Sequence, residues 1–335
     1  KLFLRRVPQK VLDEAARDPM FLAEYRRTLS AYDTYIEERP QGAFDDHLDP
    51  DTDLIAYFSA EFGFHQSMPI YAGGLGILAA DYCKAMSHLR VPFVGVGLLY
   101  HQGYFTQRLL CDGEQQADYP YRDPEDLPVT PAQGPDGEPL TVAVDLGTRT
   151  VRLRVWECRA GHIRLYLLDS DLPENHPQDR SVTYQLYGGD TRTRIRQEIV
   201  LGIGGVRALR GLGLAPTVWH ANEGHAAFLV VERCRELTAK GMDFEAALEQ
   251  VAAGVVFTTH TPVPAGHDIF PADLVQEHLG PYLEDLGVDQ HRFFALGASP
   301  RMPDGFNMTT LALRGSRHHN AVSRIHGQVG AEMES

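Results

Sequence analysis

Lysine is nearly absent: Lys1, Lys10, Lys84 and Lys240 are the only ones among 31 cationic side chains, and the rest are arginine. Chemistry that needs a lysine amine therefore has almost no candidates in this chain. Cysteine is equally sparse. Cys83, Cys111, Cys158 and Cys234 lie far apart, with no CxxC pair and no zinc-knuckle spacing, so a disulfide framework and a structural zinc are excluded and the thiols are expected to be reduced and mostly buried. No run approaches the roughly 18 to 20 apolar residues of a bilayer span, and no charged-then-apolar leader opens the chain. The expectation is a cytoplasmic protein with no membrane partner. Acidic side chains outnumber basic ones by 45 to 31, a net charge of −14, which argues against nucleic acid and favours a neutral or zwitterionic substrate. Neither G-x-S-x-G nor G-x-x-x-x-G-K-[ST] occurs, which leaves an α/β-hydrolase unsupported and removes the P-loop enzymes.

What is present is a globular composition. The 335 residues are 43% apolar and 23% charged, enough for one large α/β unit or two domains. Residues 1–50 read as a helical arm and linker: Val11, Leu12, Ala15 and Ala16, then Phe21, Leu22, Tyr25 and Leu29, recur at helical spacing before Pro40. Residues 51–335 then read as one domain with a surface excursion near 112–140, rich in Asp, Glu, Pro and Gly. Apolar runs predict strands at 54–58, 93–100, 142–144, 151–155, 163–167, 217–220 and 255–259. Helical periodicity predicts helices at 75–90, 191–210, 223–237, 244–253 and 307–326. Such alternation predicts an α/β fold, a Rossmann-like parallel sheet with helices on both faces, whose ligands bind at the carboxyl ends of the strands. The chain opens without Met and closes on the polar Gly330–Ser335, which reads as a piece of something longer.

Three clusters fall at those strand ends. Ser59-Ala60-Glu61-Phe62 precedes Tyr71-Ala72-Gly73-Gly74-Leu75-Gly76, where two glycines at a helix start let backbone N–H groups approach an anion or a sugar oxygen. A tight turn is the plain alternative. The Gly74-x-Gly76-x-x-Ala79 spacing suits a dinucleotide poorly, because about a dozen residues separate it from the strand and no acid follows at the expected distance. His220-Ala221-Asn222-Glu223-Gly224-His225 is neither HExxH nor HxxEH, so no metal is assigned; a capped helix end and a substrate-positioning role both remain open. His260 follows Thr258-Thr259 at a third strand end and can hydrogen-bond a hydroxyl, with Pro262 and Pro264 stiffening its loop.

Taken together, Ser59–Phe62, Gly73–Gly76, Leu168–Asn175, Leu186–Asp190, Arg196–Glu198, Trp219–His225, Phe257–Thr261 and Phe306–Thr309 resemble the α-glucan phosphorylases (glycogen, starch and maltodextrin) of the short bacterial type. The resemblance covers roughly residues 54 to 327. It implies the N-terminal half of a GT-B glycosyltransferase fold, and retaining phosphorolysis of terminal α-1,4-linked glucose to glucose-1-phosphate. The partners it implies are glucan and inorganic phosphate, and homo-oligomers are usual among longer members. It also implies pyridoxal phosphate, held by a lysine in a C-terminal cofactor-binding domain that nothing in this chain matches. By the same resemblance, His260, Gly74 and Leu75 would be catalytic. His260 would contact the glucose near its primary hydroxyl and steady charge at the anomeric carbon through its backbone. Gly73, Asn222, Glu223 and Thr261 would surround the sugar and phosphate, Glu61 would brace the glycine loop, and Asp190 would lie near a gating loop. The isolated chain is expected to be inactive.

The residues admit two other readings. A glycogen or starch synthase shares a Gly-Gly-Leu-Gly loop, but is similar to Lys-x-Gly-Gly-Leu-Gly-Asp there, whereas this chain has Tyr71-Ala72 before the glycines and Ile77 after them. A non-catalytic glucan-binding module would need exposed aromatic platforms, for which Tyr100, Tyr104, Tyr119, Tyr121, Trp156 and Tyr166 are candidates.

Overall fold

The structure, a computed structural model, describes residues 1–38, 44–260, 267–299 and 305–334. Pro40, Thr261, Pro262 and Pro264 lie outside the described residues. The arm is three helices, α1 (Leu2–Arg6), α2 (Gln9–Ala15) and α3 (Pro19–Glu37). Asp18 caps α3, its side chain accepting from the Met20 N–H. None of the three buries a residue. The spacing that predicts a helix there is correct, yet Phe21, Tyr25 and Leu29 are exposed; periodicity fixes which residues share a face, not what covers that face.

The body opens with β1 (Ile55–Phe58), α4 (Gly74–His88) and β2 (Phe93–Leu98). It continues with a hairpin of β3 (Thr106–Leu109) and β4 (Gln115–Asp118), then β5 (Thr130–Pro131), β6 (Thr141–Leu146), β7 (Arg149–Ala160) and β8 (Ile163–Asp169). Next come α5 (Pro177–Arg180) and α6 (Thr191–Ile199), which runs through a π turn at Val200–Gly204 into α7 (Gly205–Gly211). The last stretch holds β9 (Val218–Asn222), α8 (Phe228–Thr238), α9 (Phe244–Ala253), β10 (Val255–Thr259), β11 (Ile269–Pro271), α10 (Ala272–Leu286), α11 (Gln290–Gly297), β12 (Gly305–Asn307), α12 (Met308–Arg314), β13 (His318–Ala321) and α13 (Arg324–Glu334).

Among the described residues the main sheet runs β13-β10-β9-β1-β2-β8-β7-β5, with β6 also on β7. From β13 to β8 every pairing is parallel, and β7 pairs antiparallel with β8, β6 and β5. The alternation of helices and strands thus marks the parallel half, and the hairpins of residues 130–169 add the antiparallel edge. In β7 Val151, Leu153 and Val155 are buried while Arg152 faces solvent, as alternation requires.

The sequence pattern errs at one helix. Residues 307–326 are not one helix: α12 ends at Arg314, and the polar His318–Ala321 forms β13 because its backbone completes the sheet edge beside β10. The excursion near 112–140 runs over the surface at both ends, residues 112–117 and 135–139 being exposed, while Pro124, Leu127, Val129 and Ala132 between them are buried. Among the described residues, no helix is long and apolar enough to cross a membrane. Cys83, Cys158 and Cys234 are buried and Cys111 is exposed, all as free thiols.

The strand order decides where a ligand can sit. From β1 the chain moves to β2 and β8 on one side, then returns to β9, β10 and β13 on the other. The order therefore reverses between β1 and β9, and loops leaving a parallel sheet at such a switch point diverge and leave a crevice at the carboxyl ends.

Candidate active site

Three loops meet at that switch point. β1 ends at Phe58, opposite Ala221 of β9, and Asn222 lies opposite Thr258 of β10, so Ser59, Asn222 and His260 emerge at one level. Asn222, wholly buried, bridges the crevice: its Nδ2 donates to Ser59 Oγ at 3.0 Å, and its Oδ1 accepts from His260 Nε2 at 2.5 Å. Ser59 Oγ in turn donates to the Glu61 carbonyl at 3.0 Å. These polarities fix the His260 tautomer, since Nε2 must carry the proton. Among the described residues Nδ1 remains as an acceptor. Burial, the largest influence, lowers the His260 pKa from the usual value, so the ring is neutral near pH 7.

Glu223 grips the same histidine from the backbone side. Its Oε2 accepts from the His260 N–H at 2.8 Å and its Oε1 from the Gly224 N–H at 3.1 Å. The residue holds φ = 77°, a conformation that a β-carbon makes costly and that persists where the surroundings over-determine it. Two further histidines are kept neutral by burial. His225 Nε2 accepts from the Ala60 N–H at 2.9 Å, and its pKa falls to about 3; His220 Nε2 contacts Thr258 Oγ1 at 2.6 Å, and its pKa falls to about 4. Thr258 gives its proton to Asn320 Oδ1, so His220 donates to Thr258.

Glu61 links this cluster to the head of α4. Its buried carboxylate accepts through Oε2 from the N–H groups of Ala72 (2.7 Å) and Gly73 (3.3 Å), an acid at the positive end of a helix. That approach explains Gly76: a Cβ there would stand 2.7 Å from Glu61 Oε2 and 2.6 Å from Tyr71 Cβ. Gly73 and Gly74 are different. Among the described residues a Cβ on either would meet nothing within 4 Å, and neither has a positive φ, so neither their packing nor their conformation requires glycine. Their N–H neighbours at the first turn, Gly74 and Leu75, have no intrahelical acceptor.

His260 and Asn222 also stand at the rim of a groove of about 450 Å³ along one sheet face, floored by Ile55, Tyr57, Val218 and Val256 beside Tyr82 of α4.

Nearly the whole chain aligns with known enzymes. It is 45% identical to the glycogen phosphorylase of Mycobacterium tuberculosis over 96% of its length, and 42% identical to the maltodextrin phosphorylase of Thermococcus litoralis over 97%. The chain is a homologue of the glycogen and maltodextrin phosphorylases. A third relative, the glycogen phosphorylase of Aquifex aeolicus, is 35% identical over 97% of the chain. The homologue spans about two-fifths of the length of these curated relatives, 39%, 38% and 46% in turn. Residues 1–68 also match a family described as a protein of unknown function, DUF3417.

Within this phosphorylase homologue the fold brings Glu61, Gly73, Asn222, Glu223 and His260 into one bonded chain, with Gly74 and Leu75 at its end. Asp190 stands apart as the N-cap of α6, accepting from the Thr193 N–H at 2.9 Å. Thr261 lies outside the described residues. Of the aromatic platforms, Tyr100, Trp156 and Tyr166 are buried, Tyr119 is half-buried, and Tyr104 and Tyr121 are exposed. Among the described residues no three His, Cys, Asp or Glu side chains gather so as to hold a metal ion.

Sequence reasoning assigned no role to Ser59, His225, Tyr187 or Arg194. Tyr187 donates its hydroxyl to Glu61 Oε1, and the Arg194 guanidinium lies 5.0 Å from the Tyr187 ring centroid. Arg194 pairs with Asp268 at 2.6 Å and lies 3.7 Å from the buried Glu198. Burial first, and then the Asp268 charge, push the Glu198 carboxyl well above the usual range. Tyr187 lies within the Leu186–Asp190 motif and Arg194 between it and Arg196–Glu198, and that placement is the signal the sequence offers.

Proposed function

We propose that this chain supplies the sugar- and phosphate-facing half of an α-glucan phosphorylase, the N-terminal half of a GT-B architecture. In it, phosphate cleaves the terminal α-1,4-linked glucose of a glycogen or maltodextrin chain, with retention, to give glucose-1-phosphate. The observation that carries this reading is the pair Gly73–Gly74 at the head of α4, glycines that nothing among the described residues requires, beside a neutral histidine held by Asn222 and Glu223.

In this reading the chain's contribution is position and electrostatics. Backbone donors at Gly74 and Leu75 face developing negative charge, each worth on the order of 2 to 4 kcal/mol if preorganised. The acceptor left at His260 Nδ1 takes a sugar hydroxyl, and unpaired polar atoms penalise analogues that lack it. Gly73, Asn222 and Glu223 complete the sugar pocket, Glu61 braces the glycine turn, and Asp190 sets the end of the adjoining loop.

Pyridoxal phosphate, which the family resemblance implies, does not fit the residues present. Lys84 sits half-exposed against Asp81, Lys240 is exposed just beyond α8, and Lys1 and Lys10 belong to the arm. None of them lines the groove, and Arg194 is engaged by Asp268. The chain offers no amine at this site for an aldehyde, so we place that chemistry outside it.

The test joins this chain to the remaining portion of the mycobacterial relative, adds pyridoxal phosphate, and measures glucose-1-phosphate from maltoheptaose and phosphate, with the 335-residue chain alone as control. Product from the joined protein only supports the reading. No product from either, with glucose transfer from a nucleotide sugar, replaces it by a synthase.

A further inference from the structure

We propose that Tyr187 is a positioning residue, a latch that ties the 186–190 loop to Glu61 and thereby holds the Ala72–Gly73 turn at the head of α4. The inference deepens the phosphorylase reading and rests on it for its catalytic consequence, but not for its physical one.

Both ends of the loop are pinned. The Leu186 N–H donates to the Gly103 carbonyl at 3.0 Å, and Gln197 Nε2 donates to the Gln185 carbonyl at 2.8 Å. At the far end Asp190 caps α6. Between these anchors Tyr187 takes φ = 57°, one of three non-glycine residues with positive φ among the described residues; Glu223 of the same site is another. A tyrosine gains nothing locally from that conformation. It gains a side-chain direction, for the hydroxyl crosses to Glu61 Oε1 although the residue as a whole stays 40% exposed. Arg194, fixed by Asp268, rests over the ring and resists its departure.

Glu61 divides its two oxygens between two tasks: Oε1 receives Tyr187, and Oε2 receives the N–H groups of Ala72 and Gly73. Movement of the loop must therefore release one oxygen of the acid that orders the glycine turn. The loop and the turn are coupled through one carboxylate, and a ligand that displaces Tyr187 alters the turn without touching it.

The test is Tyr187→Phe, which removes one hydroxyl and keeps the ring under Arg194. On the 335-residue chain, hydrogen exchange followed by mass spectrometry should show residues 70–78 exchanging roughly two- to tenfold faster, the equivalent of one lost hydrogen bond, with the thermal midpoint little changed. In a Glu61→Ala background Tyr187→Phe should add nothing further. Unchanged exchange in the single variant, or an additive effect in the double variant, overturns the latch. Should Tyr187→Phe not fold, Glu61→Gln is read in the same way. In the joined protein, Tyr187→Phe should raise the phosphate KM several-fold more than it changes kcat, and an equal loss in both would overturn the positioning role. Faster exchange with no phosphorolysis by the unsubstituted joined protein would remove the phosphorylase reading and leave the latch. Phosphorolysis with unaltered exchange would do the reverse.

Discussion

Gly74 and Gly76 stand two residues apart in one helix turn, and the structure gives them opposite reasons to be glycine. In Gly76→Ala the new methyl would lie 2.6 Å from Tyr71 Cβ and 2.7 Å from Glu61 Oε2. Tyr71 Cβ is fixed to its own backbone and cannot swing away, so the turn or the helix must shift by tenths of an ångström. Overpacking of this kind costs about 1 to 3 kcal/mol. An alanine inside a helix returns roughly 0.5 to 1 kcal/mol of that, for a net loss of up to about 2.5 kcal/mol. Gly74→Ala meets nothing, so it keeps only the helical gain and should be neutral or stabilising by up to about 1 kcal/mol. Urea midpoints followed through the buried Trp156 and Trp219 separate the two. Activity should separate them differently. In the joined protein Gly74→Ala, though stable, should lose about tenfold or more in turnover, because a methyl displaces the reacting groups from a site that tolerates little misplacement. A stable Gly74→Ala with wild-type phosphorolysis would show that the space before Gly74 is not ligand space. A Gly76→Ala stabilised as much as Gly74→Ala would refute the packing argument itself.

His260→Ala should lower turnover of the joined protein by at least about tenfold while costing no more than about 1 to 2 kcal/mol of stability, since it leaves only Asn222 Oδ1 unpaired; wild-type turnover would remove His260 from the site. His220 and His225 bind protons at about pH 4 and about pH 3 in the fold but near 6.5 when unfolded. Their folded values are the lower ones, so the stability they confer is complete above about pH 6.5 and drains as pH falls, each by up to about 1.4 kcal/mol per pH unit. His225→Gln, which can still accept from Ala60, should reduce that slope by about one proton in urea titrations between pH 7 and pH 5, and an unaltered slope would contradict the assignment. Glu198 has the opposite sign: its folded value is raised, so its burial costs stability as pH climbs above the unfolded carboxyl value. Glu198→Gln should match the parent near pH 4 and exceed it in urea midpoint at pH 8, whereas a less stable variant at pH 8 would mean that the contact with Arg194 dominates.

What the sequence reveals of this site, and what it hides, divide along one physical line. The strands ending at Phe58, Asn222 and Thr259 are visible as apolar runs, and α4 is visible as a 3.6-residue period opening on glycines. In a parallel sheet those facts alone set Ser59, Glu223 and His260 at one edge, because every strand must end on the same side. β13 is invisible for the converse reason. His318-His319-Asn320-Ala321 has no apolar signature, and its strand exists only because the backbone edge of β10 is there to pair with it. The polar bonds follow the same logic more severely. Ser59 meets Asn222 across 163 residues, Tyr187 meets Glu61 across 126, and Arg194 meets Asp268 across 74. A hydrogen bond leaves no period in either partner's neighbourhood, so nothing in the chain announces these pairs. The latch at Tyr187 is therefore the part of the site that only the folded chain could disclose: its motif marks a loop, but the backbone twist that aims its hydroxyl at Glu61 is held by partners scattered from Gly103 to Asp268.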